Sequence, residues 1–252
     1  MFGRLFQKRK SAPATDREPS NSEDAGELKT QALLDAIAQR SAEDPLVAAK
    51  IGAKEVYHRL VEGLRNDKGV HIESLLCILC SLAGYACQAS LRAQSLAKGE
   101  AETAAFQIVR TKDEATYFFG DPLNNLLVGA EYSVWSLAGG AAQQAGATEF
   151  PDLRELFEHT SAVVGSFEFG LPRIPDGHAI GDLPFNYLTA IWPKLLPTVK
   201  LFCGDPAQWP ILFGLAIQEA IYASKEVIAP ALALKLVMEC AIPMSKVDLA
   251  SA

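Results

Sequence analysis

Apolar residues recur at helical spacing along most of the chain, and that recurrence fails in two places. Leu33, Leu34 and Ile37 mark one face of a helix from about Glu27 to Arg40. Asp44-Pro45 then reads as a helix start. The carboxylate accepts hydrogen bonds from free first-turn N–H groups, and proline at the first helical position gives up an N–H that had no partner there. Leu46, Ala49, Ala53, Tyr57, Leu60 and Leu64 follow on a second helix, closed by Asn66 to Gly69. A third helix runs from about His71 to Lys98 and stops at Gly99. It is apolar almost all round and rich in Ala, Ser, Cys and Gly. That predicts a central helix against which neighbours pack closely.

The first failure of the helical period begins at Ala104. Residues 104–110 and 115–119 are short, aromatic and β-branched, and the polar Thr111 to Glu114 link between them has hairpin length. A β-hairpin over about 104–119 follows. A lone hairpin is marginal in water, so Phe106, Ile108, Tyr117 and Phe119 are expected to lie on the helices.

Steps of three and four return after Gly120-Asp121-Pro122. Leu123, Leu127, Ala130, Val134, Leu137, Ala141 and Ala145 predict one amphipathic helix ending at Gly146. Another spans about 151–164, with Leu153, Leu156, Phe157 and Thr160 inward. The second failure is Gly165 to Gly181, with four glycines, two prolines and no period. Loops of this length are uncommon and often functional, and Phe167 and Phe169 predict an ordered one. Beyond it Pro193, Pro197, Pro206, Pro210, Pro230 and Pro243 divide the chain into helices near 184–192, 193–202, 208–228 and 230–241. The fold class is mainly α, an irregular multi-helix array carrying one β-hairpin.

Composition adds boundaries to this picture. The Ser-, Pro- and acid-rich stretch from Ser11 to Gly26 has almost nothing to bury, so residues 1–26 read as a disordered arm. Residues 27–252 read as a single helical domain, with the 165–181 loop as the alternative place for a division. A net charge of -7 argues against nucleic-acid binding over the general surface. The dense basic cluster is Arg4, Lys8, Arg9 and Lys10, beside Phe2, Leu5 and Phe6. That tip supports at most a weak peripheral contact with a membrane, and a frayed terminus is the preferred reading. Ser74–Leu91 and Tyr132–Thr148 carry no charge, but Ser, Gly and Gln dilute both, so no integral membrane segment is expected. There is no secretory signal pattern. Five cysteines, an odd number scattered among apolar residues, point to reduced buried thiols in a cytoplasmic protein.

Candidate chemistry is sparse. Cys77 and Cys80 form a C-x-x-C pair inside an apolar helix, where small core residues are the preferred reading. The histidines show no metal-site spacing, and neither a metal nor a cofactor is expected. The long loop holds the candidate site: Glu168, Arg173, Asp176, His178 and Asp182. A carboxylate beside His178 would tune it for proton transfer, and Arg173 would hold an anion bidentately. The plainer alternative is a solvated loop in which Asp182 caps the next helix. The leading functional expectation is a non-enzymatic, protein-binding adaptor or regulatory domain. An enzyme using the 165–182 loop and a peripheral membrane protein anchored by residues 1–10 are the alternatives.

Overall fold

In the computed structural model the described residues are 21–249, with side chains from Thr30 onward. The expectations for the basic tip, and for most of the N-terminal arm, lie outside them. The elements are α1 (Asn21–Arg40), α2 (Val47–Leu64), α3 (Ile72–Ala97), β1 (Gln107–Arg110), β2 (Thr116–Phe119) and α4 (Asp121–Asn124). A π-turn (Asn125–Gly129) follows, then α5 (Val134–Gln144), α6 (Leu153–Ala162), α7 (Pro184–Phe202), a 3-10 turn (Pro206–Gln208), α8 (Trp209–Ser224) and α9 (Pro230–Met244). The first helix thus begins ahead of Glu27.

Helix α3 lies at the centre of the packing. Helices α2, α7, α8 and α9 all touch it. From Ser74 to Gln88 every residue except the half-buried Tyr85 is buried. By length and composition α3 could cross a membrane, yet most of it is enclosed by the other helices. Its small residues allow that enclosure. A Cβ on Gly84 would sit 2.1 Å from the carbonyl oxygen of Ala241, so the α3 and α9 backbones meet there with no side chain between them. Gly214 on α8 instead makes room for the Leu137 side chain, and Gly52 on α2 for the Leu212 side chain. Buried side chains from α2 through α9, together with Val247, form one continuous cluster. A small satellite joins Ile37, Val47 and Phe202.

The hairpin forms where the pattern places it, but its inward face differs from expectation. Ile108 pairs with Phe118 and Val109 with Tyr117. Opposed residues share a face, so Ile108 and Phe118 lie on one side and Tyr117 and Phe119 belong to the other. The expected inward set mixed the two. Phe118 is the buried member, while Ile108 is 45% exposed. The Arg92 guanidinium lies over the Phe118 ring at 4.2 Å, and Phe106 meets that ring edge-on. The far edge of β2 is also occupied. The Phe118 N–H donates to the Lys246 carbonyl at 2.8 Å, and Tyr117 bridges to Val247. Strand β2 is therefore the middle line of three, and β1 is the outer line, exposed at all four positions.

Two helix expectations are corrected. The single helix from Leu123 to Ala145 is broken between Gly129 and Val134. Ala130 is extended, and the Ser133 side chain accepts the Ser136 N–H, starting a new helix. Serine offers the backbone this alternative to a continuous helix. The apolar phase survives the break, since Leu123, Leu127, Val134 and Ala141 are all buried. Conversely, Pro193 and Pro197 do not divide 184–202, which is one helix. Both prolines lie on its exposed face, where water can reach backbone carbonyls that lose a donor. The opposite face puts Ile191, Trp192, Leu195 and Val199 into the core.

The α3–α9 contact generates a stability prediction. Gly84→Ala should destabilise the fold by about 2–3 kcal/mol despite alanine's better helix propensity, because backbone must move to admit the methyl group. Urea unfolding compared with Gly140→Ala, which meets open space, measures the difference.

Candidate functional site

The segment between α6 and α7 has no regular element but is tied down along its length. Arg173 carries the strongest tie. Its Nε donates to both carboxylate oxygens of Glu239 at 3.0 and 3.3 Å, and its terminal nitrogens grip Glu155 in a two-point contact. The Glu239 side chain is only 4% exposed and lies on the buried face of α9. Hydrogen bonding to Glu155 and Glu239 outweighs burial and pushes the Arg173 pKa up. The Arg173 contact in turn holds Glu155 below the usual carboxylate range. With the guanidinium bracketed by two acids, Arg173 is committed to anchoring the loop on α6 and α9 rather than to holding a free anion.

A second tie is made at the start of α3. His178 Nδ1 donates to Glu73 Oε1 at 2.9 Å, and the other Glu73 oxygen lies 3.6 Å from His71 Nε2. His71 Nδ1 and Ser74 Oγ are 2.9 Å apart, and Ser74 Oγ accepts the Gly181 N–H at 2.9 Å. Burial pushes the Glu73 carboxyl up, but the His178 hydrogen bond and the two imidazoles more than reverse this and hold it low. A serine, an imidazole and a carboxylate in sequence invite comparison with a nucleophile–base–acid relay. Here the serine is spent on structure. Ser74 is 4% exposed, and its hydroxyl is shared with the Gly181 backbone and the Tyr187 phenol.

The five loop residues singled out by sequence are therefore not brought together. Arg173 points to α6 and α9, and His178 to α3. Asp182 accepts the Leu183 N–H and the Asn186 side-chain amide, each at 2.7 Å, so it holds the entry to α7 without capping a first-turn N–H of that helix, contrary to the capping role expected of it. Glu168 and Asp176 are exposed. The two loop aromatics also divide. Phe169 packs edge-on against Tyr117 with centroids 4.9 Å apart, whereas Phe167 is 85% exposed, contrary to the expectation that both hold the loop in place. Beside Phe169 a cleft of about 290 Å³ opens between β2, the loop and the residues after α9. Tyr117, Phe169, Phe185, Met244 and Val247 form its apolar walls, and Asp248 adds a carboxylate.

Sequence reasoning missed the polar groups that seat residues 245–248. The Gln88 amide donates to the Ser245 and Val247 carbonyls at 2.9 and 3.0 Å, and Arg92 donates to Gln88 Oε1 and to Glu102. Lys246 is buried to 1% exposure. Its ammonium donates to Asn124 Oδ1 at 2.9 Å and lies near the Phe119 and Phe157 rings. Burial pulls its pKa down to about 8 against a smaller opposing influence of Cys87. Glu239 alone left a legible signal: it is the one acid of the mostly apolar α9, and a buried acid requires a cation.

The cysteines carry no site. All five are buried, and Cys77 Sγ lies 3.9 Å from Cys240 Sγ, well beyond a disulfide bond. Burial pushes the Cys80 thiol up and Cys87 to about 12. The Cys77 contact and burial do the same for Cys240. Cys80, Cys87 and Cys240 therefore stay protonated and weakly nucleophilic. Among the described residues no group of three His, Cys, Asp or Glu side chains is placed to hold a metal ion.

Two predictions follow from the buried charges. Arg173→Met should cost about 3 kcal/mol by leaving Glu239 buried without its cation, while Arg154→Met, at an exposed pair, should be near neutral in the same chemical-denaturation assay. Lys246 binds its proton more weakly folded, at about 8, than unfolded, at about 10.4. Its contribution to stability is therefore full above about pH 10.4 and is lost as pH falls through 8. Lys246→Met should gain up to about 3 kcal/mol over wild type near neutral pH, and the gain should fade as pH approaches 10. Paired unfolding curves at the two pH values test this. No known protein family, curated protein or solved structure matches the chain, so the reading of its surface rests on its own geometry.

Proposed function

We propose that this protein is a non-enzymatic protein-binding module, of the adaptor or regulatory kind, that takes up an extended segment of a partner along the free edge of β1. The observation that carries the reading is the orientation of that edge. The Phe118 N–H points away from β1, toward Lys246. Its antiparallel partner Ile108 therefore points its own N–H and C=O away from β2. The Thr111 N–H bonds inward to Ala115, which places Arg110 in the same outward set as Ile108. The edge thus offers a short run of backbone donors and acceptors, flanked by half-exposed Ile108 and Val109 side chains.

Proteins ordinarily cover, bulge or charge such an edge. Here the outward backbone of Ile108 has only one charged strand neighbour, Arg110, to discourage pairing. Strand addition would satisfy these groups through main-chain hydrogen bonds, with side-chain contacts setting specificity. Reduced, buried thiols suit a cytoplasmic setting. The loop gives an enzymatic reading no comparable support, because Arg173 and His178 serve separate acids.

Ile108→Pro tests the reading. Proline at this position removes an outward N–H and leaves the inward ladder bonds of Val109 and Thr111 in place. The variant should melt within a few degrees of wild type. A photo-crosslinking residue at Arg110 should trap a discrete partner in cells in the Ile108 background, and Ile108→Pro should reduce that adduct about tenfold. A wild-type chain that yields no adduct, or an adduct indifferent to the proline, would rule the edge out.

A further inference from the structure

We infer that the protein forms a two-fold dimer in which Phe167 of each copy enters the apolar cleft of the other. Phe167 and the cleft are two halves of one contact carried side by side on the same chain. The ring is 85% exposed, the most exposed of the large hydrophobic side chains among the described residues. It is also presented by a fixed turn. The Ser166 N–H bonds to the Val163 carbonyl, the Phe169 N–H to the Ser166 carbonyl, and the Leu171 N–H to the Glu168 carbonyl. The Ser166 hydroxyl accepts the Glu168 N–H at 3.2 Å. Gly165 and Gly170, with φ of 76° and 79°, close the two ends of the turn in the left-handed region. A ring held out in water by this much local bonding is presented rather than frayed, and little freedom remains to be lost when it is buried.

The cleft begins one residue away. Ser166 and Phe169 line it, while Phe167 between them does not. Its volume of about 290 Å³ is at the small end for a ligand pocket and admits one phenyl side chain. Tyr117, Phe169 and Phe185 offer ring edges and faces, and Met244 adds a deformable wall. Leu183 on the rim is 45% exposed and Leu171 nearby in the loop 37%, so the apolar surface continues beyond the cleft itself.

A second copy is the occupant that satisfies both halves. A foreign side chain in the cleft would leave Phe167 in water, whereas a two-fold partner covers the ring and fills the cleft in one reciprocal step. A projection next to its own receptor suits a closed pair, because a single two-fold axis between them completes both contacts. A distant receptor would propagate an open chain. This contact uses neither Ile108 nor Arg110 and stands independently of the β1 edge.

Sedimentation velocity of the full chain over a micromolar concentration series tests the inference. Wild type should pass from 27.1 kDa to twice that mass, with a dissociation constant on the order of tens of micromolar, as suits a small interface. Phe167→Asp should remain at the monomer mass with an unchanged circular dichroism spectrum. Phe167→Trp should dimerise, and its emission, after subtraction of the wild-type spectrum, should shift to the blue with the same concentration dependence. A wild type that stays monomeric throughout the series, or a Phe167→Asp chain that still doubles its mass, overturns the dimer. A blue shift already complete in the monomer also overturns it, because the ring would then be entering its own cleft.

Discussion

The architecture depends on how closely α9 can approach α3. Where Gly84 faces Ala241 the two backbones touch, and a single methyl group would separate them. That approach brings the C-terminal end of α9 down beside Gln88 and Arg92, so residues 245–248 reach the edge of β2. The hairpin, the seat of the C-terminal segment and one wall of the cleft all follow from it. At Gly214 and Gly52 the missing side chain instead admits the Leu137 and Leu212 side chains. This explains why a helix of Ala, Cys, Ser and Gly lies at the centre of a fold that also uses tryptophan and phenylalanine.

Around this apolar centre the structure buries two charges, and it does so unevenly. Glu239 is matched by Arg173 with good geometry, and Arg173 is shared with the exposed Glu155. Lys246 has an amide oxygen and two rings in place of a carboxylate. Aromatic faces and one amide are weaker compensation than an ion pair, and the lowered pKa of the amine reflects that. The two buried charges therefore pull in different directions. The arginine ties an irregular loop to two helices, while the lysine is a strained tenant of the same end of the molecule.

What was legible in the sequence was local chemistry. Gly99 and Gly146 each lie just beyond a helix and Gly69 closes the Asn66–Gly69 turn after α2, all three with positive φ, and Asp205 caps its turn as an Asp-Pro start should. The hairpin was legible from its change of period. Its inward face was not, because the face depends on strand register and on a third line of backbone supplied from residues 246–247. Pro193 and Pro197 were misread as breaks because their consequence depends on which side of α7 meets water. The candidate loop suffered most from this limit. Its residue types were visible, but Glu73 lies 105 positions from His178 and Glu239 66 positions from Arg173, and nothing local announces such pairings.

Those separations also fix an order of events during synthesis. Helix α3 emerges from the ribosome long before α7, α8 and α9, which enclose most of it; Cys77 and the Cys240 it touches are 163 positions apart. For that interval the nascent chain exposes a helix with the length and apolarity of a membrane span. The hairpin likewise waits for residues 246–247, beyond α9, before the far edge of β2 is covered. Translation therefore produces the most adhesive surface of this protein early and its cover late, which makes the unfinished chain a natural client for chaperones that shield hydrophobic segments.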